Sequence, residues 1–293
     1  MRVAVIGQGF MGSAIACRLL ARGHDLVVFD SRRAACAAAQ RDGAVLGQNS
    51  AAVAARCEVV IASLPSESAT GEALWDLEHG AITGMSAGSV LIDCSTNTVQ
   101  TTLATESRCR SAGIDFLDCP VSMAGGPADQ GALTLMVGGD AAVVEHYRTL
   151  LTDFGTPHYF GPVGTGTVAK LVTQYIGFGS ALLALEATVA AERSGIDIAA
   201  LLDLIPYSAA AGGLVSATLE HVNKGDFRGS ADQAWAPLYI VHKDMHAAIE
   251  LAETVGVVPA IGSAATALLD NAVAHGWRDQ SFTKAVELVR ESC

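Results

Sequence analysis

The chain has 293 residues, of which 51% are hydrophobic and only 16% charged, and its formal net charge is −12. This length allows one large or two ordinary domains, and an acidic balance without any basic run argues against nucleic-acid binding. So few charges indicate that part of the surface is buried against another subunit. The seven cysteines show no CxxC or other paired spacing, which is typical of a reducing cytoplasm.

Because Met1 leads directly into the first predicted strand, we expect no secretory signal. The longest apolar stretch, from Tyr175 to Ala191, contains Glu186 together with several glycines and alanines. It is shorter and more polar than a membrane span needs, so no membrane association is predicted.

The first predicted element is a strand, Arg2–Ile6, and an amphipathic stretch, Ser13–Arg22, follows shortly after it. The residues between them read Gly7-Gln8-Gly9-Phe10-Met11-Gly12. A glycine-rich turn between a strand and a helix is typical of dinucleotide binding, with separate tasks for the three glycines: a tight turn, close approach to a pyrophosphate, and helix–strand packing. The helix start offers unpaired N–H groups to the phosphates. We therefore predict a dinucleotide-binding site here.

The identity of the dinucleotide depends on Asp30, which ends the next predicted strand, Leu26–Phe29. A carboxylate at this position hydrogen-bonds the ribose hydroxyls of NAD and repels the 2′-phosphate of NADP. Ser31, Arg32 and Arg33 follow, and arginines at this turn could instead hold that phosphate. The pattern favours NAD, and NADP remains the alternative.

Strand and helix patterns alternate through the first half of the chain, which predicts an α/β domain with a doubly wound parallel sheet of the Rossmann type over residues 1–162. Beyond Pro162 only helical patterns continue, and they predict an all-α domain over residues 163–293. The predicted strands are Arg2–Ile6, Leu26–Phe29, Val59–Ala62, Val90–Asp93, Asp115–Asp118 and Leu133–Val137. The main predicted helices are Arg33–Asp42, Thr101–Ala112, Thr167–Ser194, Ile198–Leu204, Leu214–Lys224, Pro237–Val255, Ala260–His275 and Thr283–Glu291.

Two segments near the predicted boundary carry candidate chemistry. A loop of small residues follows Asp118 and contains Ser122, whose hydroxyl could hold a substrate carboxylate or merely close a turn. Lys170 and Gln174 are four residues apart in the longest predicted helix and share one face. An ammonium beside a reacting carbonyl donates a proton in reduction, or takes one in oxidation if its pKa is lowered. A solvated lysine is the alternative.

A later helix contains His242-Lys243-Asp244 and, four residues after the first histidine, His246. Lys243 and Asp244 could form an exposed ion pair of little energetic value. The two histidines have the spacing of a metal site, but the sequence offers no third ligand close to them, so no metal is predicted.

Several of these segments, in this order, resemble the β-hydroxyacid dehydrogenase family, which includes the 3-hydroxyisobutyrate dehydrogenases. The resemblance rests on Gly7–Gly12, Leu64-Pro65, Asp93-Cys94-Ser95-Thr96, Asp118–Gly139, Gly164–Lys170, Lys243-Asp244 and Asp279-Gln280-Ser281. It implies a Rossmann domain, a helical domain, a cleft between them, and a homodimer or homotetramer.

By position, Lys170 resembles the family's catalytic lysine and Ser122 its substrate-loop serine. Leu64, Pro65, Thr96 and Lys243 resemble cofactor contacts, and Asp244 resembles a residue that lines the site.

The chain departs from the family where a substrate would bind. Met123 and Ala124 stand in place of two glycines, and Thr173 and Gln174 in place of two asparagines. A glycine backbone that would receive a carboxylate is therefore more crowded here. We expect a substrate that is larger or less polar than 3-hydroxyisobutyrate.

The sequence thus predicts an oxidoreductase that transfers a hydride between NAD and a small β-hydroxy acid or a related metabolite, with Lys170 as general acid and base. Two alternatives stay open. An imine reductase using NADPH shares this architecture but usually lacks the lysine. A non-catalytic cofactor-binding module would also be expected to lack it.

Overall fold

The computed structural model describes residues 1–123, 133–208, 210–225, 227 and 236–291. The chain forms two compact units, Met1–Lys170 and Leu171–Cys293. Within the described residues, the strands all belong to the first unit. They are β1 (Arg2–Ile6), β2 (Asp25–Phe29), β3 (Val45–Leu46), β4 (Val59–Ala62), β5 (Val90–Asp93), β6 (Asp115–Asp118), β7 (Val121–Met123), β8 (Leu133–Gly139) and β9 (Gly155–Gly161).

The helices of the first unit connect and cover these strands. They are α1 (Phe10–Ala21), α2 (Ala37–Arg41), α3 (Ser50–Ala54), α4 (Glu67–Thr70), α5 (Ala81–Gly84), α6 (Val99–Ser111), α7 (Ala141–His146) and α8 (Arg148–Phe154). A 3₁₀ turn, Arg33–Cys36, precedes α2, and a π turn, Gly71–Trp75, follows α4. The predicted helix Arg33–Asp42 is therefore a 3₁₀ turn and a short α-helix in succession.

Six strands form a parallel sheet in the order β3-β2-β1-β4-β5-β6, the Rossmann arrangement. The sheet then reverses, because β8 is antiparallel to β6, while β7 is antiparallel and β9 parallel to β8. Only Cys119 and Pro120 separate β6 from β7, and both strands pair with the same strand, β8, so β7 continues the line of β6 along it. The α/β fold class is confirmed, with an antiparallel edge that the sequence pattern did not predict.

Both faces of the sheet are covered, because successive residues of each strand point to opposite sides. In β1, Val3 and Val5 belong to one buried cluster, whereas Ala4 and Ile6 belong to another. The first cluster includes residues of α1 and α8, and the second includes residues of α3, α5 and α6. The central residues of β1, β2, β4 and β5 are buried and apolar because both faces of this part of the sheet are covered.

The regular elements of the second unit are all helical within its described residues. Its elements after α9 (Thr165–Arg193) are α10 (Ile198–Leu204), α11 (Gly213–Lys224), α12 (Leu238–Thr254), α13 (Ala260–Ala274) and α14 (Val286–Glu291), with 3₁₀ turns at Ile205–Tyr207 and Phe282–Ala285. A core of its own contains Phe178, Leu185, Met245, Leu269 and Phe282.

The first turns of α9 belong to the Rossmann unit, since the two units divide at Lys170 and not at the predicted residue 162. The backbone N–H of Thr167 donates to a carboxylate oxygen of Asp118 in β6, which ties the start of α9 to the sheet. By length and composition alone α9 would also be long and apolar enough to cross a membrane, but core helices of globular proteins meet the same criterion.

Candidate functional site

The turn between β1 and α1 has a backbone that only glycine accommodates at two positions. Gly7 has φ +87°, and a Cβ there would collide with the carbonyl oxygen of Ser63. A Cβ at Gly12 would collide with the carbonyl oxygen of Gly7. At Gly9, the residue before α1, a Cβ would meet no heavy atom within 4 Å. The turn is therefore packed tightly behind and open beside the N-terminus of α1, where a pyrophosphate would fit.

Asp30 lies at the end of β2 and is hydrogen-bonded to this turn. One oxygen accepts the backbone N–H of Gln8 at 2.7 Å, and the other accepts the backbone N–H of Arg32 at 2.8 Å. The Arg32 Nε atom is 3.7 Å from the same carboxylate, and the arginine side chain is exposed, as is Ser31. An acidic group held beside the glycine turn suits the ribose hydroxyls of a dinucleotide. Phe10 is exposed and Met11 half-buried at the start of α1.

The loops after β4 and β5 are hydrogen-bonded to each other. The backbone N–H of Leu64 donates to Ser95 Oγ at 2.9 Å, and the backbone N–H of Ser95 donates to Asp93 at 2.9 Å. Leu64 and the adjacent Thr96 are half-buried, while Pro65 is exposed. The sequence singled out Leu64, Pro65 and Thr96, but not the two polar residues that position them. A carboxylate at the C-terminal end of a buried strand is the signal that would have indicated Asp93.

Burial raises the pKa of Asp93 to about 6. Hydrogen bonds from Ser95 and Asn97 oppose this shift, and the nearby Asp118 carboxylate reinforces it. Asp93 and Asp118 are register partners in β5 and β6, so two acids share the C-terminal edge of the sheet.

Asp93 should make the protein less stable as the pH rises from about 4 to about 6. In this window the folded chain holds a proton that the unfolded chain, with an ordinary aspartate pKa of 3.8, has released. One pKa unit corresponds to 1.36 kcal/mol, so the loss is on the order of 3 kcal/mol. Urea unfolding of wild type and Asp93→Asn across this range measures it, and the variant should show a flatter profile.

Asp76→Asn is the matched control for this measurement. Asp76 is exposed, and hydrogen bonds from the backbone N–H groups of His79 and Glu78 lower its pKa. Its contribution to stability therefore disappears as the pH falls, whereas the contribution of Asp93 disappears as the pH rises. Parallel profiles for wild type and Asp93→Asn would refute the assignment.

Lys170 is buried in the second turn of α9, with 6% of its surface exposed, so it is not a solvated lysine. The helix around it is held by Asp118, whose two oxygens accept the backbone N–H groups of Gly164 at 2.8 Å and Thr167 at 2.7 Å. Burial raises the pKa of Asp118, and these hydrogen bonds partly offset the shift. The sequence did not identify Asp118 as the residue that anchors this helix.

The substrate-loop residues are only partly described. Ser122 is half-buried in β7, opposite Thr134 of β8, and not in a loop as predicted. The backbone of Met123 ends the same strand. The side chain of Met123 and all of Ala124 lie outside the described residues, so the predicted narrowing of the pocket stays a prediction.

In the second unit, Asp244 of α12 is buried and bonded on both sides. Its Oδ2 atom accepts the Gln174 Nε2–H of α9 at 2.9 Å, and its Oδ1 atom lies 2.9 Å from Lys243 Nζ. The exposed ion pair considered from the sequence is not what forms, because the Asp244 side chain is 2% exposed. The carboxylate therefore orients both the amide of Gln174 and the ammonium of Lys243.

Family models match the sequences of both units. Residues 2–176 match the family described as the NAD binding domain of 6-phosphogluconate dehydrogenase, and residues 164–289 match the NAD-binding family of NADP-dependent 3-hydroxyisobutyrate dehydrogenase. The chain belongs to the β-hydroxyacid dehydrogenase family. The resemblance inferred from the motifs is confirmed, and so is a nicotinamide cofactor of the NAD(P) class.

Individual relatives of the family align along nearly the whole chain. Glyoxylate/succinic semialdehyde reductase 2 of Arabidopsis thaliana is 29% identical over 98% of this chain and 79% of its own length. The NAD-dependent L-serine dehydrogenase of Pseudomonas aeruginosa is 30% identical over 98% of this chain and 97% of its own. A 3-hydroxyisobutyrate dehydrogenase structure from Salmonella typhimurium superposes with a TM-score of 0.88 at 21% identity, covering 98% and 99% of the two chains. The likeness to this structure supports the fold.

Proposed function

We propose that this protein is an NAD-dependent oxidoreductase that interconverts a hydroxyl and a carbonyl group on a small β-hydroxy acid or a related metabolite. The observation that carries the proposal is the buried Lys170, which lies on a helix start anchored by Asp118. The names of its relatives, which include semialdehyde reductases and a hydroxy amino acid dehydrogenase, support this reaction class.

The cofactor would be held by the glycine turn and the loops beside it. When bound, NAD supplies a nicotinamide ring that accepts or donates a hydride. The helix α1 N-terminus favours the pyrophosphate, Asp30 accepts hydrogen bonds from ribose hydroxyls, and Arg32 is available for the adenine or a phosphate. We assign cofactor contacts to Gly7, Gln8, Gly9, Phe10, Met11, Gly12, Asp30, Ser31, Arg32, Leu64, Pro65, Thr96 and Lys243.

Asp30 should make NAD the preferred cofactor in kcat/KM. A hydrogen bond to a charged group contributes about 1.5–3 kcal/mol, so Asp30→Ala should narrow the NAD-to-NADP preference by roughly 10-fold or more. Asp30→Asn keeps an acceptor for the backbone N–H of Gln8 and separates the effect of charge from that of loop structure. Initial rates with each cofactor measure the ratio.

The control for this comparison is Asp25→Ala, at the exposed N-terminal end of the same strand. It removes the same charge from β2 and should leave the ratio unchanged. A wild type that prefers NADP would show that Arg32 and Arg33 determine the cofactor.

Lys170 moves the proton. In reduction its ammonium donates a proton to the oxygen of the carbonyl as the carbon receives the hydride; in oxidation the neutral amine takes the hydroxyl proton as the hydride leaves. Both directions balance one hydride and one proton. A buried position favours this role because the lysine is kept from bulk water.

The substrate would be oriented by Ser122 and Gln174, with Asp244 behind the amide. Because Gln174 donates its Nε2–H to Asp244, its Oε1 oxygen is left to accept a hydrogen bond from a substrate hydroxyl. Met123 and Ala124, which replace glycines of the family, favour a substrate larger or less polar than 3-hydroxyisobutyrate. We therefore propose that the substrates are short hydroxy acids, hydroxy amino acids or hydroxy sulfonates that are larger or less polar than 3-hydroxyisobutyrate.

The test is a screen of these three compound classes with NAD and with NADP, in which the absorbance of the reduced nicotinamide measures turnover. The proposal expects turnover of at least one hydroxy compound in the oxidative direction. Reduction of cyclic imines with NADPH alone would favour the imine reductase. Tight cofactor binding without turnover of any compound would favour the non-catalytic module.

We further propose a homodimer or homotetramer in a reducing cytoplasm. Three exposed apolar residues of α9, Val172, Ile176 and Leu183, recur at helical spacing and form one stripe that a second copy would cover. The thiols of Cys94 and Cys119 are buried in the first unit and unlinked, which suits a reducing compartment.

A further inference from the structure

The helical unit contains a cluster of three side chains that hydride transfer does not use. His242 and His246 lie one turn apart on α12, and Asp270 lies on α13. The Nε2 atom of each histidine is 2.8 Å from the same carboxylate oxygen, Asp270 Oδ1. We propose that these three side chains form a binding site for Zn²⁺ or a similar divalent transition metal ion.

The donor set matches the chemistry of such an ion. Two imidazole nitrogens and a carboxylate oxygen are the ligands that zinc takes in three-residue sites, at about 2.0–2.2 Å. Around a tetrahedral ion such ligand atoms are roughly 3.3–3.5 Å apart by that geometry. The three donor atoms all lie within 4.8 Å of one another, and the imidazole ring centroids are 4.4 Å apart. Small side-chain rotations are enough to reach the bound arrangement.

Convergence on one oxygen distinguishes this cluster from an ordinary ion pair. Two imidazoles from successive turns of one helix face approach the same carboxylate oxygen, so three donor atoms meet at one point. A cation among the three atoms would replace two hydrogen bonds to the same acceptor by three coordinate bonds. The side chains are 29%, 47% and 51% exposed, so an ion can enter from solvent and water can complete its coordination.

The sequence pattern did not predict this site because the third ligand, Asp270, is distant in sequence from the two histidines. Asp270 follows His246 by 24 residues, and only the packing of α13 against α12 brings them together. A bound ion would link the two helices, so binding should stabilise the folded chain against heat. The proposal is independent of the proposed enzymatic function.

Zinc titration of the EDTA-treated full-length protein, by calorimetry and by competition with a chromogenic chelator, tests the site. Wild type should bind one Zn²⁺ per chain at this site, with a rise in Tm. His242→Gln, His246→Gln and Asp270→Asn should each weaken binding by roughly 10-fold or more, since loss of even an outer-shell partner typically costs 10–100-fold. The Tm rise should shrink with each variant.

His275→Gln is the matched control, because this exposed histidine after α13 hydrogen-bonds the Asn271 carbonyl and lies against the Trp277 ring, away from the three proposed ligands. It should bind zinc as wild type does. Circular dichroism of the variants separates lost ligation from lost folding. Absence of zinc binding by wild type, or zinc binding by all three single variants as tight as that of wild type, would overturn the proposal.

Discussion

Replacing Lys170 with alanine is expected to lower kcat by roughly 10²–10⁴-fold, the usual contribution of general acid–base catalysis. The affinity for NADH, measured by fluorescence titration, should change little because Lys170 is not among the proposed cofactor contacts. Single-turnover rates in both directions should fall together, since the same group gives and takes the proton.

Lys170→Arg distinguishes proton transfer from charge. Arginine keeps the positive charge but does not lose its proton in proteins, so this variant should be as defective as alanine. Lys224→Ala serves as the control, because Lys224 is exposed and pairs only with Glu220 among the bonds described. A loss below about tenfold for Lys170→Ala would contradict the assignment of Lys170 as general acid and base.

Asp118→Ala should cause the largest loss of stability and, through Lys170, a loss of turnover. The change leaves the backbone N–H groups of Gly164 and Thr167 buried without their acceptor, at a cost of about 1–3 kcal/mol each. The first turns of α9 would lose their anchor on β6, and Lys170 lies in these turns. Urea unfolding should show a loss on the order of 2–6 kcal/mol by the same arithmetic, and kcat should fall more than cofactor affinity.

The control for Asp118 is Asp140, which makes the same kind of cap in an exposed place. Asp140 Oδ1 accepts the backbone N–H groups of Ala142 and Val143 at the start of α7. Asp140→Ala should cost about 1 kcal/mol, typical of an exposed cap, and leave kcat unchanged. Asp118→Asn, which keeps one acceptor, should fall between wild type and alanine. Equal losses for Asp118→Ala and Asp140→Ala would show that the buried anchor has no special role.

The edge of the sheet beyond β6 contains a strand that the sequence pattern did not predict. β1, β4, β5 and β6 coincide with the predicted runs because each has buried apolar residues at its centre. β9 was not predicted, since Gly155–Gly161 is only partly buried and contains Pro157, which disfavours a strand. β9 forms because β8 offers its free edge from Leu133 to Gly138.

The cofactor motif was readable from the sequence because its constraints are local. Gly7 requires a positive φ, Gly12 must pass the carbonyl of Gly7, and Asp30 follows at the end of the adjacent strand; each is a condition on a short stretch of backbone. Lys170 was predicted as the general acid and base from its place within a short motif at the start of a helix, and this role stays a prediction. Local backbone constraints of this kind restrict which residue types can stand at which spacing, so a sequence motif reveals them.

Only the tertiary structure joined residues that are far apart in the chain. Asp118 meets the start of α9 across 46 residues, Asp93 becomes the register partner of Asp118, and Asp270 reaches His242 across 28. In the sequence each is one aspartate among many, without a neighbouring pattern to mark it. Strand register and helix packing select these contacts, and both depend on the burial of apolar side chains throughout each unit, so the anchor of Lys170 and the histidine–aspartate cluster emerged only with the fold.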